Sequence, residues 1–356
     1  MDRFFLAEVI GGEGTSNDVD FELCTRKHFT RYASGNNRER RVDNIAPSLT
    51  INIPYVIITP TWMHRKMFGR GGNACVRFDL RQEAKDHIIL VAHRGVAGGN
   101  IPCNTIAAFQ AALLQKADMI ELDVGKSKDG TLYIFHEGCE QVQLGIDKKL
   151  GDMTDDEIRR LRYLNTDAVP TIHGVNTFDE AFEFLKGRCY INVDKFTFYP
   201  EEIIRAIRRH GMEDQVVIKT PAERMQLDMI EALAPDFPYI VIINEADTVT
   251  DAIASRKVNF VGVETVFKTE QSPVGTDAYR EKARAHDWLL WGNSIVFNHK
   301  RLLSAGHNDD VSITGAPQDG WGWLAQKGFD MIQTDWPLQA YLYLQQTDCY
   351  ERRQNP

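Results

Sequence analysis

From Ile88 onward the chain alternates short apolar runs with amphipathic stretches, and this rhythm limits the folds open to it more than any other feature. The strand-like runs are Ile88–Ala92, Met119–Val124, Cys189–Val193, Val216–Ile218, Tyr239–Ile243, Phe260–Val263, Trp288–Leu290 and Met331–Gln333. Between them, Thr105–Leu114, Phe178–Leu185, Glu201–His210, Ala222–Leu233, Asp277–Ala285 and Gly322–Gln326 read as helices. Strands that alternate with helices form a parallel sheet covered by helices. Eight such units match a TIM (β/α)8 barrel, of about 250 residues. A doubly wound sheet is the alternative, because parallel strands alone do not reveal closure.

The division expected is an N-terminal extension over residues 1–87 and a barrel over 88–356, with a seam near Gly69–Gly72. The formal charge is −9, from 41 Lys plus Arg against 50 Asp plus Glu, and no basic face stands out. That balance argues against a nucleic-acid binder. The basic run Arg26–Arg41 reads as a solvated face, with an anionic partner as the alternative. No apolar run reaches the ~18 residues of a membrane helix. The first residues also lack the basic segment and apolar core of a secretion signal, so a cytoplasmic protein without a membrane partner is expected. The six cysteines are far apart with no C-x-x-C pair, and they read as free thiols in a reducing compartment.

In a barrel of this kind the chemistry belongs at the C-terminal ends of the strands. Those ends carry His93 and Arg94, Glu121 and Asp123, Asp194 and Lys195, Lys219, Asn244 and Glu245, Glu264, Asn293, and Asp335. Glu121 and Asp123 are two apart in a strand and so project from one side of it. Paired carboxylates repel unless a cation or a shared proton compensates them. An all-oxygen set points to a hard ion, Mg²⁺ or Ca²⁺. The other reading is two solvated strand-end acids. The stretch that follows contains Asp129-Gly130, a favoured two-residue turn, and ends at His136. Centred on that turn, the hairpin places His136 opposite Asp123. His93 closes the neighbouring strand, so the two histidines are expected to serve as general acid and general base. Arg94 offers a forked donor for phosphate oxygens. Metal, acid, base and phosphate clamp together describe cleavage of a phosphodiester.

These residues resemble the glycerophosphodiester phosphodiesterases, relatives of the barrel-type phospholipases C. The resemblance runs from about Ile88 to about Leu344 on ordered motifs. They are Ala92-His93-Arg94-Gly95, Pro102-Cys103-Asn104-Thr105, Glu121-Leu122-Asp123, Ser127-Lys128-Asp129-Gly130 with His136, and Gln333-Thr334-Asp335-Trp336-Pro337. It implies catalytic roles for His93 and His136, and a metal held by Glu121, Asp123 and an acid on the next strand, here Asp194. Arg94, Lys219, Lys195 and Asn104 are expected to bind phosphate or substrate. The chain departs from the pattern at Cys103 and at Asp194, where the family usually has Glu, and at Glu137, where it has Asp.

The expected activity is metal-dependent cleavage of a small polar phosphodiester, of glycerol or of a sugar, and not of a long-chain phospholipid. Asn104, Asn244, Glu245, Asn293 and the loop His307–Asp310 offer hydrogen bonds for hydroxyls, and Trp291, Trp321, Trp323 and Trp336 offer stacking faces, unless they pack the helices. The alternatives are a sugar-phosphodiester synthase or phosphoryl transferase of the agrocinopine type using the same site, and a binding barrel without turnover.

Overall fold

The computed structural model describes residues 78–297 and 300–352. The sequence runs that read as strands are apolar almost throughout, because both faces of each strand are covered. Alternate side chains divide between two cores. Ile89, Val91, Met119, Tyr190, Val217, Ile240, Trp291 and Met331 fill the barrel interior. Leu90, Ala92, Ile120, Leu122, Ile191, Val193, Ile218 and Val241 pack outward under the helices. A sheet buried on both faces selects this near-continuous apolar pattern.

The strands are β1 (Ile89–His93), β2 (Met119–Lys126), β3 (Leu132–Ile134), β4 (Tyr190–Asp194), β5 (Val216–Pro221), β6 (Tyr239–Asn244), β7 (Phe260–Val266), β8 (Leu289–Asn293) and β9 (Met331–Thr334). All except β3 form a parallel ring, in which β1 pairs with β2 through Val91 and Met119 and with β9 through Val91 and Gln333. Closure makes the fold a TIM barrel and excludes the doubly wound sheet. Each expected strand is present, within a few residues at its ends. The helix Phe178–Leu185 shows why the expected helices form: Thr177 and Glu180 make a reciprocal capping box, and Phe178, Ala181, Phe182 and Leu185 bury one face.

Two features went beyond the expected pattern. A segment between β3 and Phe178 carries its own small core of Tyr133, Phe135, Leu144, Leu150, Met153, Ile158, Tyr163 and Val175. The helix Pro337–Gln346 closes the last unit, with Pro337 at its first position, where a missing N–H costs nothing.

The hairpin register differs from the expectation by one residue. The loop at Asp129-Gly130 has three residues, closed by Ser127 N–H to Thr131 O (2.9 Å) and Gly130 N–H to Ser127 O (3.0 Å), with Gly130 at φ 91°. Val124 therefore pairs with Ile134, and Phe135, not His136, lies opposite Asp123. A Gly in the left-handed region favours this three-residue loop over the two-residue turn.

The N-terminal end of the barrel is sealed by the helix Leu80–Asp86, whose Leu80 and Ala84 join the interior core. The last described residues return to it. Ile88 N–H donates to Tyr350 O, Arg352 N–H donates to Asp86 O, and Tyr350 stacks on His87. Arg26–Arg41, the seam at Gly69–Gly72, Cys24 and Cys75 lie outside the described residues; Cys103, Cys139 and Cys349 are free thiols. Among the described residues no helix is long and apolar enough to cross a membrane.

Candidate active site

β2 carries Glu121 and Asp123 to the C-terminal mouth, 3% and 0% exposed. β4 sets Asp194 directly beside Asp123 in the ladder. One carboxylate oxygen from each of the three acids lies within 4.8 Å of the others. Burial, and then the neighbouring Asp123, push the Glu121 carboxyl up to about 7. Burial acts in the same direction on Asp194, but Lys219 and Lys195 outweigh it and hold that group below its ordinary value.

The two oxygens of Asp123 have different surroundings. Oδ2 receives Asn104 Nδ2 at 2.9 Å and faces Arg94 Nε at 2.9 Å. Oδ1 is buried and accepts no hydrogen bond, while His136 Nε2 stands 3.9 Å away. An unsatisfied buried carboxylate oxygen on an acid clustered with two more suits a divalent cation, and the all-oxygen set suits Mg²⁺ or Ca²⁺ over softer ions.

The loop after β1 wraps this cluster. Arg94 and Gly95 both have positive φ, 57° and 76°. A Cβ on Gly95 would stand 2.8 Å from the backbone of Ala108, so only glycine lets the loop press against the helix Ile106–Leu114. Arg94 N–H donates to Glu121 Oε2 at 3.0 Å. The sequence reading set Asn104 at the mouth as a substrate group. Its side chain is fully buried, with Nδ2 on Asp123 Oδ2 and Oδ1 accepting Asp123 N–H at 3.2 Å. Its amide is thus engaged on a carboxylate it holds in place.

Each histidine neighbours one acid. His93 pairs in register with Glu121, and its Nδ1 lies 2.9 Å from Asp335 Oδ1. Burial lowers the His93 pKa, but the Asp335 bond and the field of Glu121 prevail and raise it above the ordinary value. His136 reaches the cluster just past β3, with Nδ1 3.0 Å from Glu137 O and 3.4 Å from Cys139 Sγ. Glu137 in turn accepts Lys126 N–H (3.1 Å) and Tyr199 Oη–H (2.8 Å) on Oε1, tying the hairpin to the loop after β4.

Lys219 lies inside β5, not after it. It is buried, with Nζ 2.6 Å from Glu264 Oε2 and 4.3 Å above the Trp291 ring. Glu264 also accepts Asn293 Nδ2 at 2.8 Å. Lys195 is partly exposed, with Nζ 3.6 Å from Asp194 Oδ2. Trp291 and Trp321 are buried, so of the two expectations for them packing holds and an exposed stacking face does not, and Trp323 stacks on His307 at 3.8 Å. Trp336 is 44% exposed and, with His93, Arg94, Ile101, Cys103 and Asp335, lines an open cavity of about 650 Å³. Sequence reasoning placed Asp335 at a strand end but gave it no role. It gave none to Tyr199 either, because no local pattern signals a bond to a residue as far off in the chain as Glu137.

Residues 93–276 match the profile of the Glycerophosphoryl diester phosphodiesterase family, and residues 239–344 match that of a domain of unknown function. The chain is 31% identical over 146 residues to a glycerophosphodiester phosphodiesterase of Caldanaerobacter subterraneus subsp. tengcongensis, covering 37% of this chain and 57% of that relative's length. Among solved structures it resembles a glycerophosphoryl diester phosphodiesterase from Parabacteroides distasonis, with a TM-score of 0.62, 16% identity, and coverage of 75% of this chain and 91% of that one. It also resembles an Oleispira antarctica phosphodiesterase solved with the product sn-glycerol-3-phosphate, with a TM-score of 0.53, 16% identity, and coverage of 73% and 97%. At these identities the structural likeness establishes the fold.

Proposed function

The chain belongs to the glycerophosphoryl diester phosphodiesterase family, and from that membership we propose that it hydrolyses a small glycerophosphodiester at the Glu121, Asp123 and Asp194 cluster. The observation that carries this reading is the buried Asp123 Oδ1, which accepts no hydrogen bond, on an acid clustered with Glu121 and Asp194, with His93 beside Glu121 and His136 near Asp123. Glu121, Asp123 and Asp194 would hold one divalent ion. Such an ion, when bound, supplies positive charge against a non-bridging phosphate oxygen.

The protein's own groups do the rest. Arg94 and Lys195, both beside the acids and partly exposed, balance the phosphate charge, while buried Lys219 tunes Asp194. A carbonyl can only accept, so the contact with Glu137 O places the proton of neutral His136 on Nδ1 and leaves Nε2 free as a base. His136 then takes a proton from the attacking water. His93, raised in pKa and oriented through Nδ1 by Asp335, donates from Nε2 to the departing alcohol oxygen. The P–O bond to the alcohol breaks as the bond from water forms, and the products are a phosphomonoester and an alcohol.

The test is release of glycerol phosphate from a glycerophosphodiester, before and after exhaustive chelation and after return of Mg²⁺ or Ca²⁺. Loss on chelation with recovery on either ion is the expected result. Full turnover by the chelated protein, or no turnover of any glycerophosphodiester with metal present, overturns the reading.

A further inference from the structure

The loop His307–Asp310, expected to meet substrate hydroxyls, sends Asp309 inward. The residue is 2% exposed, and its carboxylate accepts four hydrogen bonds. Oδ1 accepts Ser294 Oγ, Trp321 Nε1 and Thr334 Oγ1, each at 2.7 Å, and Oδ2 accepts Asp335 N–H at 2.8 Å. Its own N–H donates to Ser294 O at 2.6 Å. Trp321 Nε1–H and Asp335 N–H can only donate and the two hydroxyls are able to, a set that favours the ionised carboxylate although burial pushes its pKa up to about 6. A buried ion is costly to desolvate, and well-packed apolar residues often replace a buried ion pair without loss of stability. What Asp309 supplies to the protein is therefore geometry.

That geometry concerns Asp335. The ladder between β8 and β9 ends at Asn293 and Gln333, so Asp335 lies beyond the strand hydrogen bonds. Its side chain is 48% exposed and holds His93 Nδ1 at 2.9 Å. A half-exposed carboxylate orients an imidazole only if its backbone is fixed. Asp309 fixes it twice, directly through Asp335 N–H, and through Thr334 Oγ1, which accepts Trp336 N–H at 3.0 Å while donating to Asp309.

We propose that Asp309 is a positioning residue for the reaction, acting through the backbone of Asp335 to hold His93. The proposal rests on the acid role given to His93 above, and the experiment separates the two.

The first measurement needs no turnover. The proton on His93 Nδ1 should give a downfield NMR signal that Asp335→Asn removes. In Asp309→Asn the signal is expected to weaken or shift as the His93–Asp335 bond loosens, while thermal unfolding still shows a folded protein. The second is kinetic. Asp309→Asn should lower kcat on a glycerophosphodiester by about 10-fold or more with KM changed less than about 3-fold, and should lower it little further in an Asp335→Asn background. Should Asp309→Asn fail to fold, Thr334→Val removes one of the two links and should move signal and kcat in the same direction. An unchanged His93 signal in a folded variant overturns the proposal, as does a kcat loss that multiplies in full with that of Asp335→Asn. A wild-type protein that turns over no glycerophosphodiester yet shows the expected signal change sinks the functional reading and leaves the positioning intact.

Discussion

Asp123 shows how much chemistry one side chain separates. Its Oδ2 is engaged by Asn104 and Arg94, and its buried Oδ1 accepts no hydrogen bond. A residue at such a place tolerates little, and the same holds for the two histidines beside it. His93→Ala and His136→Ala should each lower kcat by about 10²–10⁴-fold, the usual cost of losing a general acid or base. Both lie at the ends of their strands and not in the packed layers, so circular dichroism should show native folds; near-normal turnover by either variant removes its role. Cys103 makes a different prediction. Burial pushes its thiol up to about 11, against the pull of Arg94. Because the thiolate is the reactive form, roughly 0.1% of Cys103 is reactive at pH 8, well below an ordinary cysteine. Alkylation followed by peptide mass spectrometry should find Cys103 slow at pH 8 and faster as pH approaches 11. Rapid labelling at pH 8 would show the thiol to be less enclosed than described.

The barrel strands were legible because a strand covered on both faces is apolar throughout, and the expected runs fall on the eight barrel strands. Boundaries were less so: Lys219 reads as following a strand, but β5 continues past it to Pro221 because the buried ion pair with Glu264 lets a charge sit inside the barrel. The hairpin failed by one residue for a local reason, since Asp129-Gly130 closes two-residue and three-residue loops alike. Delivery of His136 to Asp123 survived the error because the histidine leaves the strand in a turn. Asn104 reads as a substrate-binding group because nothing in Pro102-Cys103-Asn104-Thr105 shows that a neighbouring strand claims its amide. Between β7 and β8 the constraint is steric. A Cβ on Gly262 would stand 2.2 Å from Leu289 O, a backbone atom that cannot turn aside. Gly262→Ala should force the two strands apart and destabilise by about 1–3 kcal/mol or more. A melting temperature equal to wild type would mean that the β7–β8 contact is looser than this spacing implies.

The whole molecule divides its tasks between two ends. Acids, histidines and the open cavity occupy the C-terminal mouth, while Leu80 and Ala84 close the opposite end from below the interior core. Leu80→Ala should cost about 2–5 kcal/mol through lost burial and the void left behind. It should leave kcat of the folded fraction unchanged, since the floor and the mouth share no residue. A kcat loss as large as that of a histidine variant would show instead that the floor steers the site. The first described helix and the last described residues meet at this floor, through Ile88 and Tyr350 and through Asp86 and Arg352. A label, a fusion partner or a surface tether joined at Arg352 would therefore be carried at the end of the described barrel that lies away from its opening.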